Sequence, residues 1–217
     1  GILTITGSGA MTDYSQSCYV PTTPWYKYRK SIKKIVVEDG VTTIGAFAFY
    51  QLSYVTSINI SDDVLSFKAY AFASCNKIQE IRMPNNLQYI ANYCFEDCKA
   101  LKKITIPECV TKLGDHVFNR CTSLKDVQLP SNMSILPQGF FSECGSLEVI
   151  TLPNSITEFA PYCFDDCTSL KEITFPTELT TIGDYSFHGC TSLENIEIPE
   201  TLTSIAEGAF CGCSGLI

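Results

Sequence analysis

Eight phenylalanines stand at a constant interval. Phe49, Phe72, Phe95, Phe118, Phe141, Phe164, Phe187 and Phe210 each lie 23 residues from the next, with no insertion or deletion between them. A fixed period between about 20 and 50 residues marks a chain that stacks one supersecondary unit on another. Other slots keep the same beat. Three positions after Phe comes Cys75, Cys98, Cys121, Cys144, Cys167, Cys190 or Cys213, with Leu52 in the first copy. Six after comes an aliphatic residue such as Leu101 or Leu124. Nine and eleven after come pairs such as Ile104 with Ile106, and Ile173 with Phe175. Twelve after comes proline from Pro84 to Pro199, with Ser61 in the first copy. The order L-x-x-I-x-I-P reads as a strand whose apolar positions face inward while the residues between them meet water. Proline at its end stops the hydrogen-bond ladder without breaking its middle.

The remainder of each copy reads as a turn, an apolar pair such as Val110 with Leu113 or Ile156 with Phe159, and a short stretch that carries the Phe. Phe and Cys lie three apart, which predicts one or two turns of α- or 3₁₀-helix. The expected fold is an α/β solenoid of the leucine-rich repeat kind. It is a right-handed coil with a parallel sheet on one face and short helical turns on the other. Residues 32–217 form the solenoid. Residues 1–31 depart from the period. Ile2 to Thr6 read as a strand, Gly7-Ser8-Gly9 as a turn, and Trp25, Tyr26 and Tyr28 as aromatics that cover the first coil. A stack of repeats needs capping ends, so 1–31 is expected to be an N-terminal cap with Trp25 as its anchor. The sequence stops at Ile217 in mid-pattern, and a C-terminal cap is expected to be absent.

Composition narrows the function. Apolar residues make up 45% of the 217, enough for a continuous core, and the formal charge of −8 speaks against nucleic acid as a partner. No run of 18 apolar residues suggests a membrane span, and no charged-then-apolar leader is visible at Gly1. Twelve cysteines would suggest disulfides. Seven share one slot, however, and stacked equivalents point the same way, which suits a disulfide dihedral poorly. They read as a buried row of free thiols. Cys94 with Cys98, or Cys163 with Cys167, could hold zinc, but no second ligand pair stands near either in sequence.

Catalytic motifs are missing. His116 and His188 fall in different copies, about 14 Å apart along a stack of strands spaced by 4.8 Å, and cannot share a metal or a proton. No phosphate-binding glycine loop, metalloprotease helix or nucleophile elbow occurs. Acidic pairs such as Asp165-Asp166 and Asp62-Asp63 read as solvated turn charges rather than calcium ligands. The chain is not expected to be an enzyme, and no metal or cofactor is implied.

Two surfaces could meet a partner. The first is the outward side of the sheet, with Asn59, Glu80, Arg82, Lys103, Thr105, Asp126, Gln128, Thr151, Glu172, Thr174 and Glu197. The second is an aromatic row two positions before Phe: Phe47, Tyr70, Tyr93 and His116, then Tyr162 and Tyr185 after a gap at Gly139. The second row also reads as a ladder of rings packed on one another. Charge is uneven. Residues 1–125 carry 14 basic and 10 acidic side chains, a net of +4; residues 126–217 carry Lys171 against 13 acids, a net of −12.

The motif I-T-I-P-x-x-V-T-x-L-G-x-x-V-F-x-x-C-x-S-L resembles the BspA-like leucine-rich repeats of bacterial surface proteins. The segments L-T-I-T-G-S-G-A-M-T-D-Y, P-W-Y-K-Y-R and I-K-K-I-V-V-E-D-G-V-T-T-I-G resemble the leader of that family, so the likeness spans the whole chain. Glu38 and Ser61 in the proline slot and Leu52 in the cysteine slot depart from it. The resemblance implies a secreted or surface-attached, adhesin-like module that binds protein, with host matrix or plasma proteins among the known ligands of some members. It supplies no catalytic or defined binding motif. The alternative is a structural spacer or assembly module; a glycan-binding module fits less well, because the sheet presents few aromatics.

Overall fold

The computed structural model describes residues 1–17 and 20–217; Cys18, one of the twelve cysteines, lies outside them. The fold is a parallel β-solenoid of about seven turns. Equivalent strands pair in parallel with a step of 23, as in Lys34↔Ser57, Lys103↔Asp126 and Glu158↔Thr181. The core is continuous. Phe49, Phe72, Phe118, Phe141, Phe164 and Phe187 are wholly buried, and Phe95 is 1% exposed. Their rings stack at 5.2–5.9 Å from Phe72 to Phe210.

The coils build two sheets rather than one, and the first is interrupted. The first sheet holds Ile2–Ile5, Lys34–Val37 and Ser57–Ile60, and then Lys103–Thr105 with Asp126–Gln128. Its strands run three or four residues, shorter than the six that the sequence suggests. The second sheet uses the apolar pair that follows the turn. It runs through Gly9–Ala10, Val41–Ile44, Ser66–Phe67, Tyr89–Ile90 and Lys112–Leu113, and resumes as Ile135–Leu136, Glu158–Phe159, Thr181–Ile182 and Ser204–Ile205.

The expected helical turns around Phe are not formed. Among the described residues the one helix is a 3₁₀ turn, Tyr26–Tyr28, in the N-terminal segment. The reason is in the backbone. Residues two before and two after each Phe are left-handed: Tyr93 and Asp97 both have φ of 59°, and His116 and Arg120 have 57° and 61°. A right-handed helix cannot continue through a left-handed residue every fourth position. Alternate N–H groups instead point along the stack. Tyr93, Phe95 and Asp97 donate to Asp115, Val117 and Asn119 of the next coil at 2.8–3.0 Å. Between them, Glu96 and Cys98 donate three residues back, to Tyr93 and Phe95. The Phe-to-Cys spacing of three therefore closes a β-turn, and this third face is hydrogen-bonded from coil to coil like a sheet.

Residues 1–31 join the same architecture with a wider loop. Ile2 pairs with Lys34 and Ile5 with Val37, a step of 32 rather than 23. On the third face Tyr14 N–H donates to Ala46 O, and the Trp25 indole N–H donates to Ala48 O, both at 2.8 Å. In later coils the equivalent carbonyls, Ala69 and Ala71, receive the backbone N–H of Phe47 and Phe49. The Trp25 ring also lies on Phe49, 6.3 Å between centroids, and edge-on to Tyr14 at 5.3 Å.

Candidate functional site

The cysteine row is a hydrogen-bonded ladder. Each thiol donates to the Phe carbonyl of the coil before it: Cys75 to Phe49, Cys98 to Phe72, Cys121 to Phe95, and so on to Cys213 with Phe187, at 3.0–3.3 Å. That carbonyl already accepts an N–H, so the thiol fills its second lone pair. Leu52 needs no such donor, because the residue 26 positions before it is Tyr26, outside the Phe row. All eleven described cysteines are free, and nine are buried. Burial pushes the thiols up, Cys98 and Cys163 to about 12, so they stay protonated. Cys94 and Cys163 belong to the core, and Cys163 Sγ donates to Ala160 O at 2.8 Å.

The aromatic row is a stack. Phe47–Tyr70, Tyr70–Tyr93 and Tyr93–His116 are each 4.8 Å between centroids and within 11° of parallel. These are the left-handed residues, where an aromatic is conformationally costly; ring stacking and the inter-coil N–H bond offset that cost. The stack breaks at Gly139, where an added Cβ would come within 2.1 Å of His116 Nδ1. It resumes with Tyr162–Tyr185 at 5.5 Å. Neighbouring rings cover one another's faces and leave edges to water. Burial lowers the His116 imidazole below its usual range.

The copy that carries Gly139 also breaks the second sheet. In other coils the residue four before Phe donates across the ladder: Gly114 N–H to Ile90 O at 2.8 Å, Ala160 N–H to Leu136 O at 3.0 Å, Gly183 N–H to Phe159 O at 2.8 Å. Pro137 holds that slot here and has no N–H. Strand pairing lapses between Lys112–Leu113 and Ile135–Leu136, and an open cleft of about 330 Å³ lies there, lined by Val110, Leu113, Met133 and Pro137 among others. The sequence signal is the one proline in that slot, but its meaning depends on the second sheet, which exists only through coil-to-coil pairing.

On the first sheet the whole proposed row is exposed: Asn59, Glu80, Arg82, Lys103, Thr105, Asp126, Gln128, Thr151, Glu172, Thr174 and Glu197. The structure brings Asn59, Glu80, Arg82, Lys103 and Thr105 around one open cleft of about 670 Å³, with the buried core residues Ile58, Ile81 and Ile104 beneath it. The cleft lies where Ser57–Ile60 and the Glu80–Met83 segment do not pair; Glu80 touches the following strand by a single bridge to Lys103. Side chains along the face are tied together. Arg82 Nη2 donates to both oxygens of Asp62 at 3.0 and 2.9 Å, Lys103 pairs with Asp126 at 2.9 Å, and Thr105 Oγ1 donates to Gln128 Oε1 at 3.0 Å. The Arg82 hydrogen bond holds the Asp62 carboxyl below its ordinary range, helped by the Asn85 N–H. Thr151, Glu172, Thr174 and Glu197 lie further along the face and outside this cleft.

The family model for the BspA type leucine rich repeat region matches six copies, over residues 24–144 and 89–217. The chain belongs to the BspA-type leucine-rich repeat family. Solved bacterial leucine-rich repeat proteins resemble it over 89–100% of its length. A leucine-rich repeat protein from Bacteroides ovatus is 24% identical, with all of this chain and 73% of that one covered, at a TM-score of 0.72. One from T. pallidum is 24% identical over 89% of this chain and 83% of the other, at 0.61. One from Eubacterium ventriosum is 21% identical over 98% and 90%, at 0.57. At these identities the likeness bears on the fold. No curated protein sequence matches the chain. The family match indicates no enzymatic family, and among the described residues no helix is long and apolar enough to cross a membrane.

Proposed function

We propose that this repeat module acts outside a bacterial cell, at or released from its surface, and binds a protein partner across the first-sheet face. In this reading the contact centres on the cleft bounded by Asn59, Glu80, Arg82, Lys103 and Thr105 and extends along Asp126, Gln128, Thr151, Glu172, Thr174 and Glu197. The observation that carries it is the cleft itself. It gathers Glu80, Arg82 and Lys103 with Asn59 and Thr105 at a break in the strand ladder, a shaped and charged surface that a continuous flat sheet does not offer. Residues 1–31 serve as the N-terminal cap, because Tyr14 and Trp25 supply donors where later coils receive them from a preceding coil. Host matrix and plasma proteins are the partners to try first. Phe47, Tyr70, Tyr93, His116, Tyr162 and Tyr185 serve the stack in this reading, since their faces are spent on one another.

The test is a binding panel of matrix proteins, plasma proteins and glycans against the wild-type chain, Arg82→Glu/Lys103→Glu, and Tyr93→Ser/Tyr162→Ser. The sheet variant is expected to bind its partner at least tenfold more weakly, with the tyrosine variant changed less. The reverse pattern would place the contact on the aromatic row. A chain that binds nothing in the panel would favour a spacer or assembly module.

A further inference from the structure

The residue that follows each Phe forms its own row on the third face, and neighbours in it touch. Asn119 Nδ2 donates to Glu96 Oε1 at 3.2 Å, and Ser142 Oγ donates to Asp165 Oδ2 at 3.4 Å. The next pair is Asp165 with His188, where Nδ1 and Oδ1 are 2.8 Å apart. Asp166 follows Asp165 in the left-handed conformation, φ 53°. This brings its carboxylate over the next coil, close above Gly189, where an added Cβ would be 2.2 Å from Asp166 Oδ1. A ring nitrogen of His188 and one oxygen from each carboxylate thus lie within 4.8 Å of one another.

We propose that Asp165, Asp166 and His188 form a binding site for a divalent transition-metal ion of the Zn²⁺ class. Three observations converge on it. First, the donors suit such an ion. Ligand atoms about 2.1 Å from zinc stand about 3.0–3.4 Å from one another, at angles between square and tetrahedral. The Asp165–His188 pair is already close to that spacing. Asp166 is exposed, and rotation of its side chain closes the remainder. Second, among the described ion pairs no Lys or Arg meets either carboxylate. Among the described ion pairs Asp165 meets His188 and Asp166 meets none, while Lys171, the one Lys or Arg after residue 125, is bound to Glu148 at 2.8 Å. A cation is what this stretch lacks. Third, the backbone frame is rigid: Phe164 N–H, Asp166 N–H and Gly189 N–H are each bonded to the following coil at 2.8 Å.

The imidazole donor selects against calcium and magnesium, which take oxygen ligands. When the metal takes the place of the proton between Nδ1 and Asp165, the bound ring carries its one proton on Nε2. Water completes the coordination. Cys211 occupies the next place on the row, exposed, with its carbonyl accepting from Gly189 N–H at 2.8 Å; the site is assigned without it.

Calorimetric titration of the chelator-treated full chain with zinc, in a non-thiol reductant, is expected to give one ion per chain. His188→Gln and Asp166→Asn, both still folded by their thermal transitions, should each bind at least tenfold more weakly. Cys211→Ser should stay within threefold of wild type, and calcium should give no heat. The chain has two histidines, so long-range imidazole NMR spectra supply an internal control: zinc should switch His188 from the Nδ1–H to the Nε2–H tautomer and leave His116 unchanged. The proposal is overturned by absent zinc heat, by His188→Gln binding within threefold of wild type, by binding that follows Cys211 instead, or by a His188 spectrum that zinc does not alter. None of these readouts depends on a protein partner.

Discussion

Phe118 is wholly buried, stacked 5.7 Å from Phe95 and edge-on to Phe140 at 5.3 Å. Truncation leaves a cavity that neighbouring coils, held by their own ladders, cannot close. Phe118→Ala should therefore cost about 3–5 kcal/mol, read as a fall in the denaturant midpoint; a loss under roughly 1 kcal/mol would contradict a core role. The thiols next to this row make a second prediction. The nine buried cysteines should resist alkylation in the folded chain, while Cys211 and the half-buried Cys109 react. Folded thiols such as Cys98 hold their proton to about pH 12, whereas the unfolded chain releases it near pH 9. Between those values the unfolded state binds fewer protons, so stability is intact below pH 9 and falls as pH rises beyond it. Cys98→Ala should flatten that decline by up to about 1.4 kcal/mol per pH unit; an unchanged slope in denaturation curves from pH 8 to 11 would count against the argument.

At the scale of the element, the N-terminal segment and the Pro137 seam invite separate tests. Trp25→Phe keeps most of the ring contact with Phe49 and removes the indole donor, leaving Ala48 O without it. The expected cost is roughly 1–2 kcal/mol, and an unaltered unfolding midpoint would show that the bond is dispensable. At the seam, among the described residues, Ser134 N–H has no backbone acceptor in the coil before it, whereas its equivalents Thr157 and Thr180 donate to Ser134 O and Thr157 O at 2.9 and 2.8 Å. Hydrogen exchange at Ser134 should be at least tenfold faster than at Thr157 and Thr180, which sit in the unbroken part of the same sheet. Equal protection on both sides would mean the sheet is mechanically continuous despite Pro137.

For the whole molecule the important asymmetry is electrostatic. The cleft at Arg82 and Lys103 falls in the part with net charge +4, and the coils beyond Asp126 carry −12. A partner guided by this field should associate more slowly as salt is added, with dissociation much less affected. Arg82→Glu/Lys103→Glu should lower the association rate and its salt dependence together, measured by surface-captured kinetics. A salt-independent rate would leave contact chemistry alone to explain recognition.

The 23-residue beat was legible in full from the sequence. It specified a stack, its inward rows, the parallel first sheet and the residues that sheet turns to water, because periodic burial follows directly from side-chain polarity. Which hydrogen bonds close each coil was not legible. Phe and Cys three apart suit a helix and a β-turn equally well in sequence. The choice was made by inter-coil N–H bonds to residues 22 positions away, which hold Tyr93, Asp97 and their equivalents left-handed. The same long-range frame turned the Leu113-type pairs into a second sheet, gave the cysteine thiols their Phe carbonyls, and gave Pro137 its consequence. It also placed Asp165, Asp166 and His188 together across one coil boundary. Sequence determined what must be buried, a local matter of polarity and period. Tertiary structure decided which polar groups meet, since each such meeting depends on the coil above or below.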